Sequence, residues 1–429
     1  MKTLFRNALV VTQNSSRECS RLDVVVENGA ITEVSKEAKG SNYDETIDCK
    51  DKLLMPGLVN THTHAAMSLL RGYGDDLRLQ EWLEKRIWPA ESKLTPSDIY
   101  SGSLLSFIEM LRGGTTCFND MYFQISEIAK AAEKISIRGL IGYGMIDLGD
   151  SSKREKELKE CKNSIASIKA SSPGGLIKAS VCPHAPYTCS EELLRESARI
   201  ARENSLKLHI HLSETRKELA DSLKQKKKRP AEYLDSIGFL GPNVIAAHGV
   251  WLSKRECELL GKKGVSIAHC PASNMKLASG GVAPLPELFD AKVKVGIGTD
   301  GAASNNSHSM FSEMKLACLA QKNQRWDGTV MPAQQALDCA TINGSKMLGF
   351  NGGSIEKGKD ADIVLLDLNS PNLRPLHNAV SQIVYAADPS NVTDVMVGGK
   401  FVVREKKLCV KGINEEEIGK QVQKIAEKF

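Results

Sequence analysis

The chain has 429 residues, of which 41% are hydrophobic and 25% charged, the composition of an ordinary globular protein. This length exceeds that of one minimal domain and suits a core of about 250–300 residues with a smaller appended unit. The net charge of +5, from 57 basic against 52 acidic residues, lacks the concentrated basic excess of a nucleic-acid-binding protein. We therefore expect no nucleic-acid partner.

The cellular compartment is predicted from features that the sequence lacks. No run of about 18 apolar residues occurs, so we expect no membrane span. The first residues enter a short alternating strand and carry no apolar segment typical of an export signal. The 11 cysteines are scattered and never spaced Cys-x-x-Cys, which is typical of reduced thiols. Together these features predict a cytoplasmic protein.

Both ends of the chain contain short predicted strands. Asn28-Gly29 is a strong hairpin-turn signal between two strands within residues 1–52. The strand pattern returns after residue 360, and a helix over residues 414–428 follows it. Since lone hairpins are only marginally stable, residues 1–52 and 361–429 are expected to pair into one small β-sandwich domain.

The middle of the chain, residues 53–360, alternates apolar runs with helical segments. This is the pattern of βα units around a parallel sheet. Eight runs have the character of strands: 53–59, 115–118, 139–146, 177–182, 206–212, 243–247, 265–268 and 293–297. Eight alternations over about 300 residues predict an α/β fold, with a TIM (β/α)8 barrel as the main domain.

The polar residues at the ends of these runs point to a functional site. Seven of the nine histidines lie at or near the carboxyl end of a run, namely His62, His64, His184, His209, His211, His248 and His269. Asp300 follows the last run. In a barrel these ends form one face, where active sites lie. Histidines that are merely exposed to solvent or buried in the core would instead be scattered over helices and loops. The observed placement therefore predicts an active site.

A metal centre is the simplest interpretation of this cluster. His62 and His64 are separated by one residue, so both imidazoles project from the same side of the strand. With one histidine of the fifth run and Asp300 they supply three nitrogens and one oxygen, typical of a catalytic zinc-like ion with a position open for water. We prefer His211 as that ligand because it lies nearer the rim. His209 is then expected on the pocket floor or behind the ligands.

Two further residues are candidates for proton transfer and charge stabilisation. Glu214 lies three residues beyond His211, within reach of a general acid/base, and this role is preferred to that of a helix-cap partner. His248 is either a fourth nitrogen ligand or a group that stabilises the attacking water. We prefer the second role because Asp300 already completes the ligand set.

Four sequence blocks resemble the amidohydrolase superfamily. They are Pro-Gly-Leu-Val-Asn-Thr-His-Thr-His at 56–64, His-Leu-Ser-Glu-Thr at 211–215, His-Cys-Pro-Ala-Ser-Asn-Met-Lys-Leu at 269–277 and Gly-Thr-Asp-Gly-Ala-Ala-Ser-Asn-Asn at 298–306. Within it the chain looks like the branch that deaminates 5′-modified adenosines, the methylthioadenosine/S-adenosylhomocysteine/5′-deoxyadenosine deaminases. The resemblance covers nearly the whole chain and includes the strand-rich ends.

The resemblance implies a mechanism that releases ammonia and converts adenine to hypoxanthine. It implies one divalent metal, zinc first with iron, manganese, cobalt and nickel as alternatives, on His62, His64, His211 and Asp300. Glu214 would protonate a ring nitrogen, His248 would orient the attacking water, and Asp300 would move a proton from that water to the departing amine. The substrate is then a small nucleoside, with water as co-substrate. A homo-oligomer, dimeric or tetrameric, is also implied.

The resemblance also suggests residues that contact the substrate. Glu91 would accept hydrogen bonds from the two ribose hydroxyls, and His184 would contact the sugar or the base. Trp82 would form part of an apolar wall, and Ser304 and Asn305 would line the pocket near Asp300.

Two positions, Tyr143 and His308, depart from the pattern of relatives, some of which hold a charged homocysteine tail. Tyr143 stands where some of them have an arginine, and Arg154 fills a second such position. His308 replaces a more usual leucine. These differences favour a substrate with a small 5′-substituent.

Two other functions stay open. One is another mononuclear reaction at the same site, such as guanine or triazine deamination or chlorohydrolase chemistry, which a ribose contact at Glu91 would distinguish. The other is a non-catalytic, amidohydrolase-like scaffold protein, which predicts missing ligands although none is missing here. Gly296–Gly301 matches Gly-x-Gly-x-x-Gly, but it lies late in the chain and no helix is predicted directly after it, so a dinucleotide site is disfavoured.

Overall fold

The computed structural model describes residues 1–429, which form two β-sheets and their surrounding helices. The strands are β1 Lys2–Val11, β2 Cys19–Glu27, β3 Ala30–Ser35, β4 Glu45–Asp48, β5 Lys52–Pro56, β6 Leu58–Thr63, β7 Thr115–Tyr122, β8 Arg138–Met145, β9 Ile177–Pro183, β10 Lys207–Leu212, β11 Val244–His248, β12 Ser266–His269, β13 Lys294–Ile297, β14 Ile363–Asp367, β15 Val392–Val397, β16 Lys400–Arg404 and β17 Lys407–Leu408.

The eight strands β6 to β13 pair in chain order and are all parallel. The last and first strands meet where the Asp300 N–H donates to the His62 carbonyl at 2.9 Å. Gly298 makes this contact possible, because a Cβ there would lie 2.8 Å from the His62 nitrogen. The predicted TIM barrel is therefore confirmed, and its eight strands lie within a few residues of the predicted runs.

The helices connect the strands and cover the barrel. They are α1 Leu79–Trp82, α2 Trp88–Glu91, α3 Pro96–Arg112, α4 Ile125–Ile135, α5 Ser151–Ser171, α6 Glu191–Glu203, α7 Arg216–Lys226, α8 Pro230–Ser236, α9 Lys254–Lys263, α10 Pro271–Lys276, α11 Leu285–Asp290, α12 Ala302–Asn305, α13 Met310–Arg325, α14 Ala333–Asp338, α15 Gly344–Leu348, α16 Ala379–Tyr385 and α17 Glu415–Ala426. None of them combines the length and apolar character needed to cross a bilayer.

Hydroxyl caps define where several barrel helices begin. The side chains of Thr95, Ser190, Thr215 and Ser253 accept a backbone N–H from the first turn of α3, α6, α7 and α9. Each such cap stabilises a helix by about 1 kcal/mol. Thr215 directly follows Glu214, so its cap also determines where the loop bearing that carboxylate ends.

Apolar packing holds the barrel strands in place. A cluster of 87 buried residues lies mainly between the barrel and its helices. A smaller cluster that includes Val59, Cys117, Leu140 and Ile245 gathers side chains of four different barrel strands. Burying one leucine or isoleucine side chain stabilises the fold by about 1.5–3 kcal/mol. The strand ends that carry the polar residues are thus parts of a rigid frame.

The chain ends form one connected sheet of nine strands. Its central pair is β5 with β14, which run antiparallel, so residues from both ends of the chain share the same ladder. A separate cluster of 14 buried residues packs on it. The predicted joining of both ends is confirmed, in one continuous sheet. The division into residues 1–52 with 361–429 and residues 53–360 stays a prediction.

The first predicted strand, residues 53–59, contributes to both sheets. It divides at Gly57, with β5 in the sheet of the chain ends and β6 in the barrel. The Gly57 N–H donates to the Asp362 carbonyl at 2.9 Å. A Cβ at Gly57 would lie 2.0 Å from the Thr116 hydroxyl oxygen, so glycine is required at this crossing.

Candidate active site

Four polar side chains meet at the carboxyl end of the barrel. His62 and His64 come from the end of β6, His211 from β10, and Asp300 follows β13. Ring nitrogens of the three histidines lie within 4.8 Å of one another. The Nε2 atoms of His62 and His64 lie 3.4 and 3.3 Å from Asp300 Oδ1. The structure thus brings together the four residues that the sequence nominated as metal ligands.

The second ring nitrogen of two of these histidines is held by a backbone carbonyl. His64 Nδ1 lies 2.5 Å from the carbonyl oxygen of Met121, and His211 Nδ1 lies 2.8 Å from that of His184. A carbonyl only accepts, so each Nδ1 carries the proton and each Nε2 presents its lone pair. This is the tautomer that a metal-binding histidine needs.

His62 is supported by a ring rather than a carbonyl. Its Nδ1 lies 2.8 Å from His209 Nε2, and His209 Nδ1 lies 3.2 Å from the Asn119 amide nitrogen. The expected place of His209 beneath the ligands is therefore what the structure has. His62 Nε2 is buried and has no hydrogen-bond partner, although it faces Asp300. An orphaned nitrogen among two further imidazoles and a carboxylate fits one divalent cation.

Charges within the cluster depend on burial and on Asp300. Burial lowers the pKa of His62 to about 4. Burial also opposes protonation of His64, but the adjacent Asp300 carboxylate outweighs it and raises the pKa of His64 to about 9. Burial would raise the pKa of Asp300, but its contacts with both histidines hold it well below its usual range. Asp300 is therefore an anion.

Glu214 and His248 lie side by side over the cluster. Glu214 follows β10 on the loop before α7, and His248 ends β11. The distance from Glu214 Oε2 to His248 Nε2 is 3.8 Å. Burial raises the pKa of Glu214 above its ordinary value, which favours the protonated form that an acid catalyst needs. The Glu218 carboxylate holds this loop by accepting the backbone N–H groups of Ser213 and Glu214, each at 2.8 Å.

Backbone conformations at this face are unusual. Ser213, His248 and Asp300 have φ angles of 50°, 75° and 62°, in the left-handed region. Such conformations cost roughly 1–3 kcal/mol each in a non-glycine residue and cluster at functional sites. Each lies at or just beyond the end of a barrel strand, where the turn directs the following side chains over the barrel mouth.

A cavity of about 830 Å³, open to solvent, extends from the cluster. Six of its lining residues come from the segment 79–91, namely Leu79, Trp82, Leu83, Ile87, Trp88 and Glu91. The strand ends and following loops supply the rest: His64, Met67, Met121, Tyr122, Phe123, Gly144, Ile146, His184, Tyr187, His211, Glu214, His248, Leu277, Asp300 and Ser304. Most of this wall is apolar or aromatic, as in sites for small organic molecules.

Two of the expected substrate contacts are polar side chains on this wall. Glu91 is held by the Tyr122 hydroxyl, which donates to Oε1 at 2.6 Å, and burial raises the pKa of Glu91 to about 7. The His184 ring lies 4.7 Å from that of His211, and burial lowers the pKa of His184 to about 3. His184 is therefore neutral at physiological pH.

The remaining expected contacts are divided between the wall and its surroundings. Trp82 and Ser304 line the cavity. Arg154 does not, and its guanidinium lies instead 3.9 Å from the carboxylates of Asp147 and Glu192. Asn305 is also absent from the wall, because its amide donates to the Thr299 carbonyl at 2.6 Å. Neither side chain points into the cavity. Arg154 contacts two carboxylates and Asn305 a backbone carbonyl instead.

No arginine or lysine belongs to the wall of this cavity. Tyr143 is outside it as well, since the neighbouring Gly144 and Ile146 form that part of the surface. His308 is buried behind the site, with its ring nitrogens 2.9 Å from Ser106 Oγ and 3.2 Å from Thr299 Oγ1. The cavity wall therefore offers no arginine or lysine to a charged substrate group.

The sequence interpretation missed several wall residues. Tyr122 ends β7, so the rule that active sites use the ends of barrel strands was a sufficient signal for it. Trp88 lies in the same short block as Glu91. Met67 and Tyr187 follow strands on loops, and no local pattern marks them, because only the closed barrel turns them inward.

Comparison with known proteins agrees with this geometry. Residues 53–402 match the amidohydrolase family. A 5′-deoxyadenosine deaminase of Methanosphaera stadtmanae is 48% identical over 402 residues, which is 94% of each chain. A 5-methylthioadenosine/S-adenosylhomocysteine deaminase of Thermococcus onnurineus is 44% identical over 95% of each chain.

Solved structures give the same result. The crystal structure of an adenosine deaminase from Xanthomonas campestris with bound zinc superposes with a TM-score of 0.94 at 36% identity, covering 99% of this chain and 98% of that one. The chain belongs to the amidohydrolase family, and it is a metal-dependent hydrolase. The predicted family and enzyme class are thereby confirmed.

Proposed function

We propose that this enzyme hydrolyses the amine from the adenine of 5′-modified adenosines, giving hypoxanthine nucleosides and ammonia. The observation that carries this proposal is one cavity that is lined by the histidine and aspartate cluster and by a separate carboxylate, Glu91. Glu214 and His248 line the cavity beside that cluster, and Glu91 stands on the wall contributed by residues 79–91. The names of the relatives in Methanosphaera and Thermococcus support the same chemistry.

The cluster His62, His64, His211 and Asp300 would hold one divalent ion, and zinc is our first choice because the Xanthomonas structure contains it. When bound, such an ion lowers the pKa of a coordinated water to about 7. Burial favours the neutral imidazoles of His62 and His211, His64 gives up a proton when the ion binds, and Asp300 supplies the negative charge that a cation requires.

Protons are handled by residues of this chain. Glu214, whose pKa is raised by burial, donates a proton to a ring nitrogen of adenine, which makes the carbon bearing the amine electrophilic. Asp300 accepts a proton from the attacking water and passes it to the departing amine. His248 orients the attacking oxygen. As ammonia leaves and the new C=O bond forms, the second proton of the former water returns to Glu214. One water is then consumed and one ammonia released for each nucleoside.

The ribose contact is assigned to Glu91. Its Oε1 already accepts the Tyr122 hydroxyl at 2.6 Å, which fixes the plane of the carboxylate. The remaining lone pairs accept the two ribose hydroxyls. His184 and Trp82 lie on the same wall and would contact the sugar or the base.

The 5′-position is expected to face apolar surface. Leu79, Leu83 and Ile87 supply part of that surface, and the wall lacks arginine and lysine. An amino-acid tail would bury charges without partners, and each unsatisfied charged group costs more than about 1–3 kcal/mol. We therefore expect 5′-deoxyadenosine and methylthioadenosine to be turned over with at least about tenfold higher kcat/KM than S-adenosylhomocysteine. A cytoplasmic location and a homo-oligomeric state remain part of this proposal.

A parallel assay tests the proposed function. The zinc-loaded enzyme is given adenosine, 5′-deoxyadenosine, methylthioadenosine, S-adenosylhomocysteine, guanine and a chlorotriazine. Ammonia release and the change from adenine to hypoxanthine absorbance are followed. Turnover of the nucleosides alone supports the proposal. Turnover of guanine or the triazine with no activity on any nucleoside would instead support the alternative reaction.

A further inference from the structure

The adjacent residues Ser273 and Asn274 have no role in the mechanism above. They stand in the first turn of α10, directly after β12, and are 0% and 4% exposed. In the sequence they belong to the block 269–277, one of the four that carry the family resemblance, and neither residue is given a role there. Buried polar side chains need partners, and the partners of these two residues are Asp300 and His248.

Ser273 determines how Asp300 is oriented. Its hydroxyl donates to Asp300 Oδ2 at 2.6 Å, and the Ser304 hydroxyl lies 3.1 Å from the same oxygen. Oδ1, by contrast, lies next to the Nε2 atoms of the two histidines that end β6. The two carboxylate oxygens therefore have different partners. Hydroxyl groups contact Oδ2, and the histidine nitrogens contact Oδ1.

Asn274 determines which nitrogen of His248 carries the proton. Its amide nitrogen lies 3.1 Å from His248 Nδ1, and an amide nitrogen only donates. Nδ1 is then the acceptor, so the neutral imidazole carries its hydrogen on Nε2, the atom 3.8 Å from Glu214 Oε2. The reverse amide orientation would leave both buried N–H groups without a partner, because the other end of this amide contacts no polar group.

We propose that Ser273 and Asn274 are paired positioning residues, of which Asn274 holds His248 as the Nε2–H tautomer and Ser273 assigns the two oxygens of Asp300. A donor at Nε2 orients the attacking oxygen and does not bind a cation. This resolves the choice between the two roles considered for His248. The catalytic meaning of this inference rests on the proposed deamination. The tautomer of His248 does not depend on that proposal.

The tautomer is measured directly in the zinc-loaded wild-type enzyme. Protein labelled with ¹⁵N-histidine is examined by long-range ¹H–¹⁵N NMR, and the His248 signal is assigned by its absence in His248→Gln. We expect the Nε2–H pattern for His248 and the Nδ1–H pattern for His64 and His211. An Nδ1–H pattern for His248 would overturn the inference. This measurement requires no turnover, so it is separate from a failure of the proposed function.

The isosteric change Asn274→Asp tests the direction of the hydrogen bond. A carboxylate accepts and would impose the opposite tautomer, so we expect kcat to fall about 100-fold or more, as wrong tautomers do elsewhere. Asn274→Ala removes the donor without imposing the opposite tautomer, and kcat should fall only about tenfold. KM and zinc content should stay within about twofold in both variants, because neither residue is a ligand or lines the cavity.

Asn243→Asp is the matched control. The Asn243 amide also donates one hydrogen bond, to the Leu206 carbonyl at 3.1 Å, but at the opposite end of the barrel. We expect unchanged kcat for this variant. Wild-type kcat in Asn274→Asp, or loss of zinc in proportion to loss of activity, would show that Asn274 does not set the tautomer.

Ser273 is tested by conservative rescue. Ser273→Ala should lower kcat about tenfold, and Ser273→Thr, which keeps the hydroxyl, should recover most of it. Ser304→Ala should have a smaller effect, since that hydroxyl is also 3.1 Å from the Gly301 carbonyl and is the longer contact to Asp300. Zinc affinity is measured in competition with a chelator. Equal losses in Ser273→Ala and Ser273→Thr would contradict the assignment of Asp300 orientation to this hydroxyl.

Discussion

The two halves of the active-site cavity are built in different ways. Strand ends and the turns after them carry the metal-binding half, and short hydrogen bonds hold its side chains, such as His211 Nδ1 to the His184 carbonyl at 2.8 Å. The facing wall, residues 79–91, consists of short helical turns between β6 and α3 and is mostly apolar. The proposed chemistry therefore depends on the barrel frame, and the proposed substrate contacts depend on a connecting segment, the kind of segment that tolerates sequence change best.

The largest effect is expected at Glu214, the proposed acid catalyst. Glu214→Gln removes the transferable proton while keeping the shape of the side chain, so kcat should fall at least about 1,000-fold with zinc content unchanged. Ammonia release and metal analysis measure the two quantities. Glu203→Gln, on the exposed end of α6, is the control. A Glu214→Gln enzyme with wild-type kcat would remove Glu214 from the mechanism.

The metal-binding half should respond strongly to pH. In the metal-free protein the pKa of His64 is about 9, so a cation must displace a proton from it at any lower pH. His62, with a pKa of about 4, stays neutral over this range. Apparent zinc affinity should therefore rise roughly tenfold per pH unit from pH 6 to pH 9 and level off above that. Chelator competition at several pH values measures it, and a flat profile would contradict the prediction.

Substitutions of Glu91, on the wall formed by residues 79–91, should instead change substrate binding. Glu91→Ala should raise KM for nucleosides about 10- to 100-fold, because two charge-assisted hydrogen bonds to ribose are lost, while zinc content stays constant. Glu91 has a pKa of about 7, so in the wild type KM should also rise as the pH falls below 7 and this carboxylate gains a proton. Glu91→Gln should lack that pH dependence. Equal loss of activity on nucleosides and on a free base would contradict the ribose contact.

The smallest effect is expected at Arg154. Its guanidinium lies beside Asp147 and Glu192 and outside the cavity wall, so Arg154→Ala should change kcat/KM by less than about twofold for every nucleoside. The informative comparison is between the kcat/KM of Arg154→Ala for S-adenosylhomocysteine and its kcat/KM for 5′-deoxyadenosine. A selective loss with S-adenosylhomocysteine would show that Arg154 reaches the substrate after all.

Much of the barrel was predictable because its signals are local. Alternation of strands and helices identified the eight strands, and polar residues at their carboxyl ends identified the active-site face. His62 and His64 could be paired from their spacing alone, since side chains two residues apart share one side of a strand. Arg154 was proposed from the resemblance to relatives and Asn305 from its proximity in sequence to Asp300, and neither argument determines the direction of a side chain.

The sequence by itself determined the barrel and the family and singled out four residues that the structure brings together, because periodicity and short motifs can be recognised without knowledge of distant contacts. Only the tertiary structure decided which atoms of those residues act. Asn274 meets His248, Tyr122 meets Glu91, and Ser273 meets Asp300 through bonds that join different strands and loops. The direction of these hydrogen bonds depends on the closed barrel, since closure alone brings the paired side chains within about 3 Å of one another. The absence of arginine and lysine from the cavity wall likewise depends on the closed barrel.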